Sequence, residues 1–403
     1  MNVFVASILV IFILLDAFVF WRMFVLLGPT RSRRMWRTIL VLLALAAVAF
    51  SAFEMVANPI LGSARDPFPR WLIAGLYIWH FLVLPPMAVA LSIDLVVRAL
   101  RGFWKRARSN AAQRPPDKSP APTAPIFSRR HFLTSLGMTA VPAATVSLAG
   151  IAMMQLGKFR IKPYDLAVAG WPRELDGYTI TIVADVHAGA FSTQKMLDDI
   201  AEATNKLRSD LVLLAGDLIN ISLADLPSAL DMVLRMDARD GVYMIQGNHD
   251  CIQGPDRFNH AVRRRGVKLL VDDVATITPA HRGMPFQLLG TRWTSEGFRS
   301  ESVAYTAALR DPSIFAMMLA HHPHSWDVAA DCGVPLVISG HTHGGQIMLT
   351  KDIGAGPLRF KYWSGRYDKP NSTLIVSNGV GNWFPLRVNA PAEIARLTLH
   401  PRP

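Results

Sequence analysis

Tyr178-Thr-Ile-Thr-Ile-Val-Ala184 runs directly into Asp185-Val-His187. The first seven residues, dense in β-branched side chains, predict a short buried strand, and the strand ends in a carboxylate and an imidazole. The same join recurs downstream. Leu211-Val-Leu-Leu-Ala215 leads to Gly216-Asp217, and Val242-Tyr-Met-Ile-Gln246 leads to Gly247-Asn248-His249-Asp250. Ala316-Met-Met-Leu-Ala320 leads to His321, and Leu336-Val-Ile-Ser339 leads to Gly340-His341-Thr342-His343.

Between these strands the apolar residues change period. Met196, Leu197, Ile200, Ala203 and Leu207 fall at helical spacing, as do Leu226, Ala229, Leu230, Val233 and Leu234. Strands alternating with such helices predict an α/β domain whose sheet is parallel or mixed and covered on both faces. Sheets of this kind place ligands beyond the carboxyl ends of their strands. The polar residues at those ends are therefore expected to converge.

Taken one at a time these motifs are ordinary turn chemistry, because Gly, Asn and Asp tolerate positive φ. Together, Asp185, His187, Asp217, Asn248, His321, His341 and His343 offer oxygen and imidazole donors without a thiolate, a set suited to Mn, Fe or Zn. Two divalent ions would bring more positive charge than Asp185 and Asp217 neutralise, leaving a surplus for an anionic phosphate.

In this order the motifs resemble the calcineurin-like metallophosphoesterases: Asp-x-His, Gly-Asp, Gly-Asn-His-Asp, His, Gly-His-x-His. The resemblance spans residues 157–403 and implies a double β-sandwich flanked by helices, hydrolysing a phosphate ester or anhydride. It further implies that Asp217 bridges two metals about 3.5 to 4 Å apart. Asp185, His187 and His343 would complete one site, and Asn248, His321 and His341 the other. His249 becomes the catalytic residue that meets the phosphate and assists the leaving oxygen, supported by Asp250. His322 and His324 flank His321, which is preferred as ligand because Leu319-Ala-His321-His-Pro323 fits the pattern.

Gly340-His-Thr-His-Gly-Gly-Gln346, Ser377-Asn-Gly-Val-Gly381 and Pro391-Ala-Glu393-Ile resemble a membrane-associated or exported bacterial branch of that family. Some members of it cleave the pyrophosphate of UDP-2,3-diacylglucosamine in lipid A synthesis. Asn378 departs from that branch where a basic residue is expected, and Thr291-Arg-Trp293 lacks its acidic pair.

The first 156 residues belong to a different solvent. Met1 to Trp21 carries Asp16 as its one charged residue, and further apolar runs cover about Thr38 to Ala57, with Glu54 near its end, and Trp71 to Ile93, with Pro85 and Pro86 inside it. With the uncharged stretch Phe132 to Leu156 they predict an all-α membrane region of about four transmembrane helices. The expected division is three spans in 1–100, a basic Pro/Ala-rich linker in 101–131, a fourth span or signal anchor in 132–156, and the phosphoesterase domain in 157–403. Residues 1–156 hold 16 Lys and Arg against 5 Asp and Glu, whereas the remainder is nearly neutral. The excess therefore reads as orientation in a bilayer, and no nucleic acid is expected as partner.

Arg31, Arg33, Arg34 and Arg37 crowd the first connection, and eight basic residues crowd Arg101 to Arg130, so both are expected on the cytoplasmic side of an inner membrane. The catalytic domain then lies on the periplasmic side. Ser128-Arg129-Arg130-His131-Phe132-Leu133 resembles a twin-arginine export signal, which would make the export machinery a partner; an ordinary fourth span gives the same topology. Gln113 to Pro125 reads as a flexible linker. Asp16, His80 and Asp94 are ionisable groups in or beside spans, a thin set for an ion path. Cys251 and Cys332 show no metal-ligand spacing, and an ordinary buried pair is preferred over a disulfide. A non-catalytic sensor or scaffold is the competing class, and it predicts an eroded ligand set. The substrate is expected to be a phosphorylated small molecule or lipid.

Overall fold

The computed structural model describes residues 3–27, 31–56, 58–63, 67–109, 129–294 and 296–402. The Gln113 to Pro125 linker and Ser128 lie outside the described residues, and the side chains of Glu54, Arg129 and Arg130 are likewise outside them. The chain divides into two compact units. One comprises Met1–Ala57 with Trp71–Ile151, and the other Asn58–Arg70 with Ala152–Pro403.

The first unit is helical: α1 (Val3–Leu27), α2 (Arg31–Val56), α4 (Arg70–Ile78), α5 (Leu84–Ser109) and most of α6 (Arg129–Gln155). The short α3 (Asn58–Leu61) falls in the other unit. Pro85 and Pro86 occupy the first turn of α5, where missing N–H groups cost least, and a π-helical turn, Trp79–Val83, joins it to α4. Stretches Ser7–Val25 and Arg70–Arg106 are long and apolar enough to cross a membrane. The apolar stretches Arg37–Phe53 and Ala140–Gln155 are shorter, so two of the four expected spans meet that length among the described residues. The helices α2 and α6 are themselves 26 and 27 residues long.

Asp16, His80 and Asp94 do not form one path. Asp16 accepts from Trp79 Nε1 at 2.9 Å and lies 3.0 Å from His80 Nε2, while Asp94 pairs with Arg22 and Arg98. His80 Nδ1 donates to the Leu76 carbonyl at 2.9 Å, and Ser51 Oγ lies 3.3 Å from Nε2.

The second unit is a sandwich of two six-stranded sheets. Strands β1 (Arg160–Val168), β2 (Tyr178–Val183), β3 (Leu211–Ala215), β4 (Val242–Ile245) and β5 (Lys268–Leu269) join β12 (Glu393–Pro401) in the order β1-β12-β2-β3-β4-β5. The second sheet contains β6 (Asp273–Ile277), β7 (Phe286–Gly290), β8 (Ala316–Leu319), β9 (Leu336–Ser339), β10 (Gly365–Lys369) and β11 (Ser372–Val376), ordered β10-β11-β9-β8-β7-β6. Both sheets are mixed: the parallel run β2-β3-β4-β5 meets antiparallel β12 on one side, and the parallel run β7-β8-β9-β11 lies between antiparallel β6 and β10.

Side-chain alternation divides the core. Ile180, Ile182, Leu211 and Leu213 meet Leu288, Met317, Leu319 and Ile338 between the sheets. Val212 and Leu214 point the other way, onto α7 (Gln194–Lys206), α8 (Leu226–Leu234) and α9 (Pro255–Arg264). Leu289, Met318 and Val337 pack under α10 (Glu296–Ala308) and α11 (Ser325–Asp331). Helices thus cover both outer faces, and the parallel strands end on one rim. In α8 the expected apolar stripe holds at Leu226, Ala229, Leu230 and Val233, while Leu234 is exposed and Met232 is buried. The helix α12 (Ala355–Arg359) packs against the turn His343–Gly345 at that rim. Cys251 and Cys332 are free thiols.

Candidate metal centre

Three of the five strand-to-ligand joins, those after β2, β3 and β9, turn sharply. Asp185, His187, Asp217, His341 and His343 all hold φ between 47° and 74°, a region that non-glycine residues avoid at some cost. Gly216, at φ 88°, lets the chain pass: a Cβ there would lie 2.6 Å from His321 Nδ1. A Cβ at Gly247 would lie 2.1 Å from Asp217 Oδ1. The glycines of Gly216-Asp217 and Gly247-Asn248 therefore exist so that the backbones can close on the carboxylate.

All seven ligand candidates come together. Asp185, His187 and His343 form one grouping, and Asp217, His321 and His341 another, each with ligand atoms within 4.8 Å of one another. His187 Nε2 stands 3.0 Å from His343 Nε2, and His341 Nδ1 stands 3.2 Å from His321 Nε2. Asn248 Oδ1 is 3.1 Å from His321 Nε2 and 2.9 Å from His341 Nδ1. Between the groupings, Asp217 Oδ2 lies 3.6 Å from His187 Nε2 and 3.2 Å from His321 Nε2.

This arrangement fits divalent cations. Ring nitrogens facing each other at such distances need a proton or a metal between them. Burial, with neighbouring cations adding to it, holds His187, His341 and His343 well below the usual histidine range, so these rings are neutral and each keeps one lone pair. Burial raises Asp185 to about 7, with Asp217 contributing. His321 is pushed up to about 9 because the facing Asp217 outweighs its burial. Its Nδ1 lies 2.6 Å from the Ala215 carbonyl, to which it donates, leaving Nε2 toward the centre. Burial would lift Asp217, but His321 and His249 hold it below the ordinary carboxylate value.

His249 borders the same space. Its Nδ1 donates to the Asn220 carbonyl at 2.5 Å, its backbone N–H donates to Asp217 Oδ1 at 2.8 Å, and its ring stands edge-on to His187 at 4.5 Å. It offers a further ligand grouping with His187 and Asp217. Asp250 is fully buried and accepts from the backbone of Gly247 and Ile219. Asp250 thus ties the backbones of the two loops together, and burial raises its carboxyl to about 7. His322 stacks on the His341 ring at 4.6 Å and joins none of these ligand groupings. His324 Nε2 accepts from Lys361 N.

Arg387 was not legible as a site residue. Buried, it donates to the carbonyls of Asn378 at 2.8 Å and Gly381 at 2.6 Å, and its Nη2 lies 2.9 Å from His343 Nδ1. A lone arginine in Phe384-Pro-Leu-Arg387 carries no sequence signal for that position. Asn378 is scaffold: it accepts from Ser364 Oγ and donates to Pro391 O beneath Gly344. Trp293 packs its ring against His321 and His341 at 5.5 and 5.4 Å.

Comparison with known proteins agrees with this geometry. Residues 178–345 match the calcineurin-like phosphoesterase family. The chain is 26% identical over 390 residues to a transmembrane protein with metallophosphoesterase domain from Danio rerio, covering 92% of this chain and 82% of that one. It is 28% identical over 283 residues to phosphodiesterase YaeI of Escherichia coli, covering 68% of this chain and all of the relative. An uncharacterized metallophosphoesterase of Helicobacter pylori is 28% identical over 230 residues, 55% of this chain and 60% of the relative. The stretch that matches the calcineurin-like phosphoesterase family, residues 178–345, lies within the second unit of this chain.

Proposed function

We propose that the chain is a membrane-anchored two-metal phosphoesterase acting on a phosphate ester or anhydride of the cell envelope, with a lipid-linked phosphate as its substrate class. The observation that carries this reading is the Asp217 carboxylate standing between two complete donor groupings. A scaffold has no use for such a set. Two divalent cations held there by Asp185, His187 and His343, and by Asn248, His321 and His341, would activate water and neutralise charge on the phosphoryl oxygens.

The chain's own residues do the rest. Because the Asn220 carbonyl fixes the proton on His249 Nδ1, Nε2 is the atom left to hold a proton for the leaving oxygen. Asp250 holds the loops that carry Asp217 and His249 in register. On the rim, Phe360 stands edge-on to His341 at 5.6 Å, and close by in sequence Leu349, Ile353 and Leu358 are 74%, 58% and 89% exposed. Exposed aliphatic side chains this near in sequence to the site residues favour a substrate with an acyl portion.

A periplasmic position for the domain is supported by the basic first and third connections and by Asn58–Arg70, which follows α2 and yet folds with the catalytic unit. Export by the twin-arginine route is part of this reading. Purified full-length chain, loaded with Mn, Zn or Fe, should release phosphate or a phosphomonoester from a panel of aryl, alkyl and lipid phosphates and lipid pyrophosphates. Absence of turnover on every member with any of the metals would sink the reading, and activity confined to a nucleotide-linked lipid would move the domain to the cytoplasmic face.

A further inference from the structure

The segment Asn58–Arg70 separates two hydrophobic runs in sequence, yet it is part of the phosphoesterase unit. Its hold there is specific. Ser63 donates twice to one oxygen of Asp225, from its backbone N–H and from Oγ, both at 2.8 Å. Asp225 is 9% exposed, and a carboxylate removed from water is tolerable only with such donors. Next to it, Gly62 holds φ 78°, and a Cβ there would stand 2.9 Å from Ala224 Cβ, so the backbone sits flush on this turn. The seat has no slack for a side chain.

The turn that receives the segment is the one that orients His249. Asp225 ends the turn Leu223–Asp225, five residues after Asn220, whose carbonyl takes the His249 Nδ1 proton. Asn220 N–H donates to Ala188 O, and Leu223 N–H donates to Gln253 Oε1, four residues beyond His249. Any movement of the turn is thereby passed to the loop pair that frames the ring.

We propose that Gly62 and Ser63 form a strut that positions His249 through Asp225 and Asn220, so that the segment between the second and third hydrophobic helices is a working part of the active unit. This rests on the hydrolase reading for its consequence in turnover, but not for its geometry. A polypeptide starting at residue 157 would keep every metal ligand and lack the strut.

The test uses the full chain in detergent micelles, metal-loaded, with Ser63→Ala, Ser63→Thr and Gly62→Val. Carbethoxylation of His249, followed by mass spectrometry, should run about threefold faster or more in Ser63→Ala and Gly62→Val, since the ring's loop opens more often. The exposed His260 and His281 serve as internal controls, and Ser63→Thr, which keeps both donors, should behave as the parent. In turnover, Ser63→Ala should lose about tenfold in kcat on an alkyl phosphoester, with KM and metal content unchanged and a smaller loss on an aryl ester. Parental labelling of His249 in both disrupting variants overturns the strut. Faster labelling in a chain whose parent hydrolyses nothing would keep the strut and overturn the hydrolase reading.

Discussion

Asp217 offers its two carboxylate oxygens to different partners: Oδ1 accepts the backbone N–H of His249 at 2.8 Å, while Oδ2 lies 3.2 Å from His321 Nε2. One residue thus fixes the catalytic loop and stands between both donor groupings.

Asp217→Asn is therefore expected to weaken both metal sites together, whereas His343→Ala depletes one. Metal content per chain, measured by mass spectrometry after gel filtration, distinguishes them. Two fully bound ions in Asp217→Asn would remove the bridging role.

His249→Ala should retain its metals and lose roughly 10²- to 10⁴-fold in turnover, the range for general acid catalysis. An alkyl ester should suffer more than p-nitrophenyl phosphate, whose leaving group needs little protonation. Equal losses on the two substrates would take the acid role away from His249, and loss of metal would make it a ligand.

Arg387→Ala leaves the buried carbonyls of Asn378 and Gly381 without a donor. At about 1 to 3 kcal/mol for each unsatisfied buried group, the loss should be several kcal/mol, enough to lower the melting temperature on the order of 10 °C. Differential scanning fluorimetry of the metal-free chain checks this, and an unchanged melting temperature would contradict it.

The metal-free domain should lose stability between about pH 7 and pH 9. His321, raised from 6.5 to about 9 by the Asp217 opposite its buried ring, binds more protons folded than unfolded across that window. Its contribution is complete below the unfolded value and disappears as pH rises through the folded one. Divalent metal must displace the same proton, so metal affinity should rise over the range in which metal-free stability falls. Melting curves with and without Mn at three pH values decide it: parallel pH trends would refute the assignment.

Much of the catalytic unit was legible because each strand is announced twice, by its own apolar run and by the polar residues where it stops. The five expected strands lie where the alternating burial of Ile180, Leu213, Met317 and Ile338 requires them. What escaped was long in sequence separation. Arg387 reaches His343 across a loop, and Ser63 reaches Asp225 across 162 positions, and neither residue type at either place departs from ordinary surface usage. The membrane region was legible in outline through its apolar runs, but pairings such as Asp16 with His80 depend on how helices rotate against one another, which hydropathy does not encode.

The five ligand candidates with positive φ have a bearing on how such a domain decays. Glycine adopts that backbone freely, so replacing Asp185, His187, Asp217, His341 or His343 by Gly would relieve strain on the order of 1 kcal/mol at each position. Drift toward an inert pseudoenzyme is, for the backbone, a downhill path. A chain that retains all five against that slope keeps its fold under tension, and only selection for the chemistry at the rim opposes the relaxation.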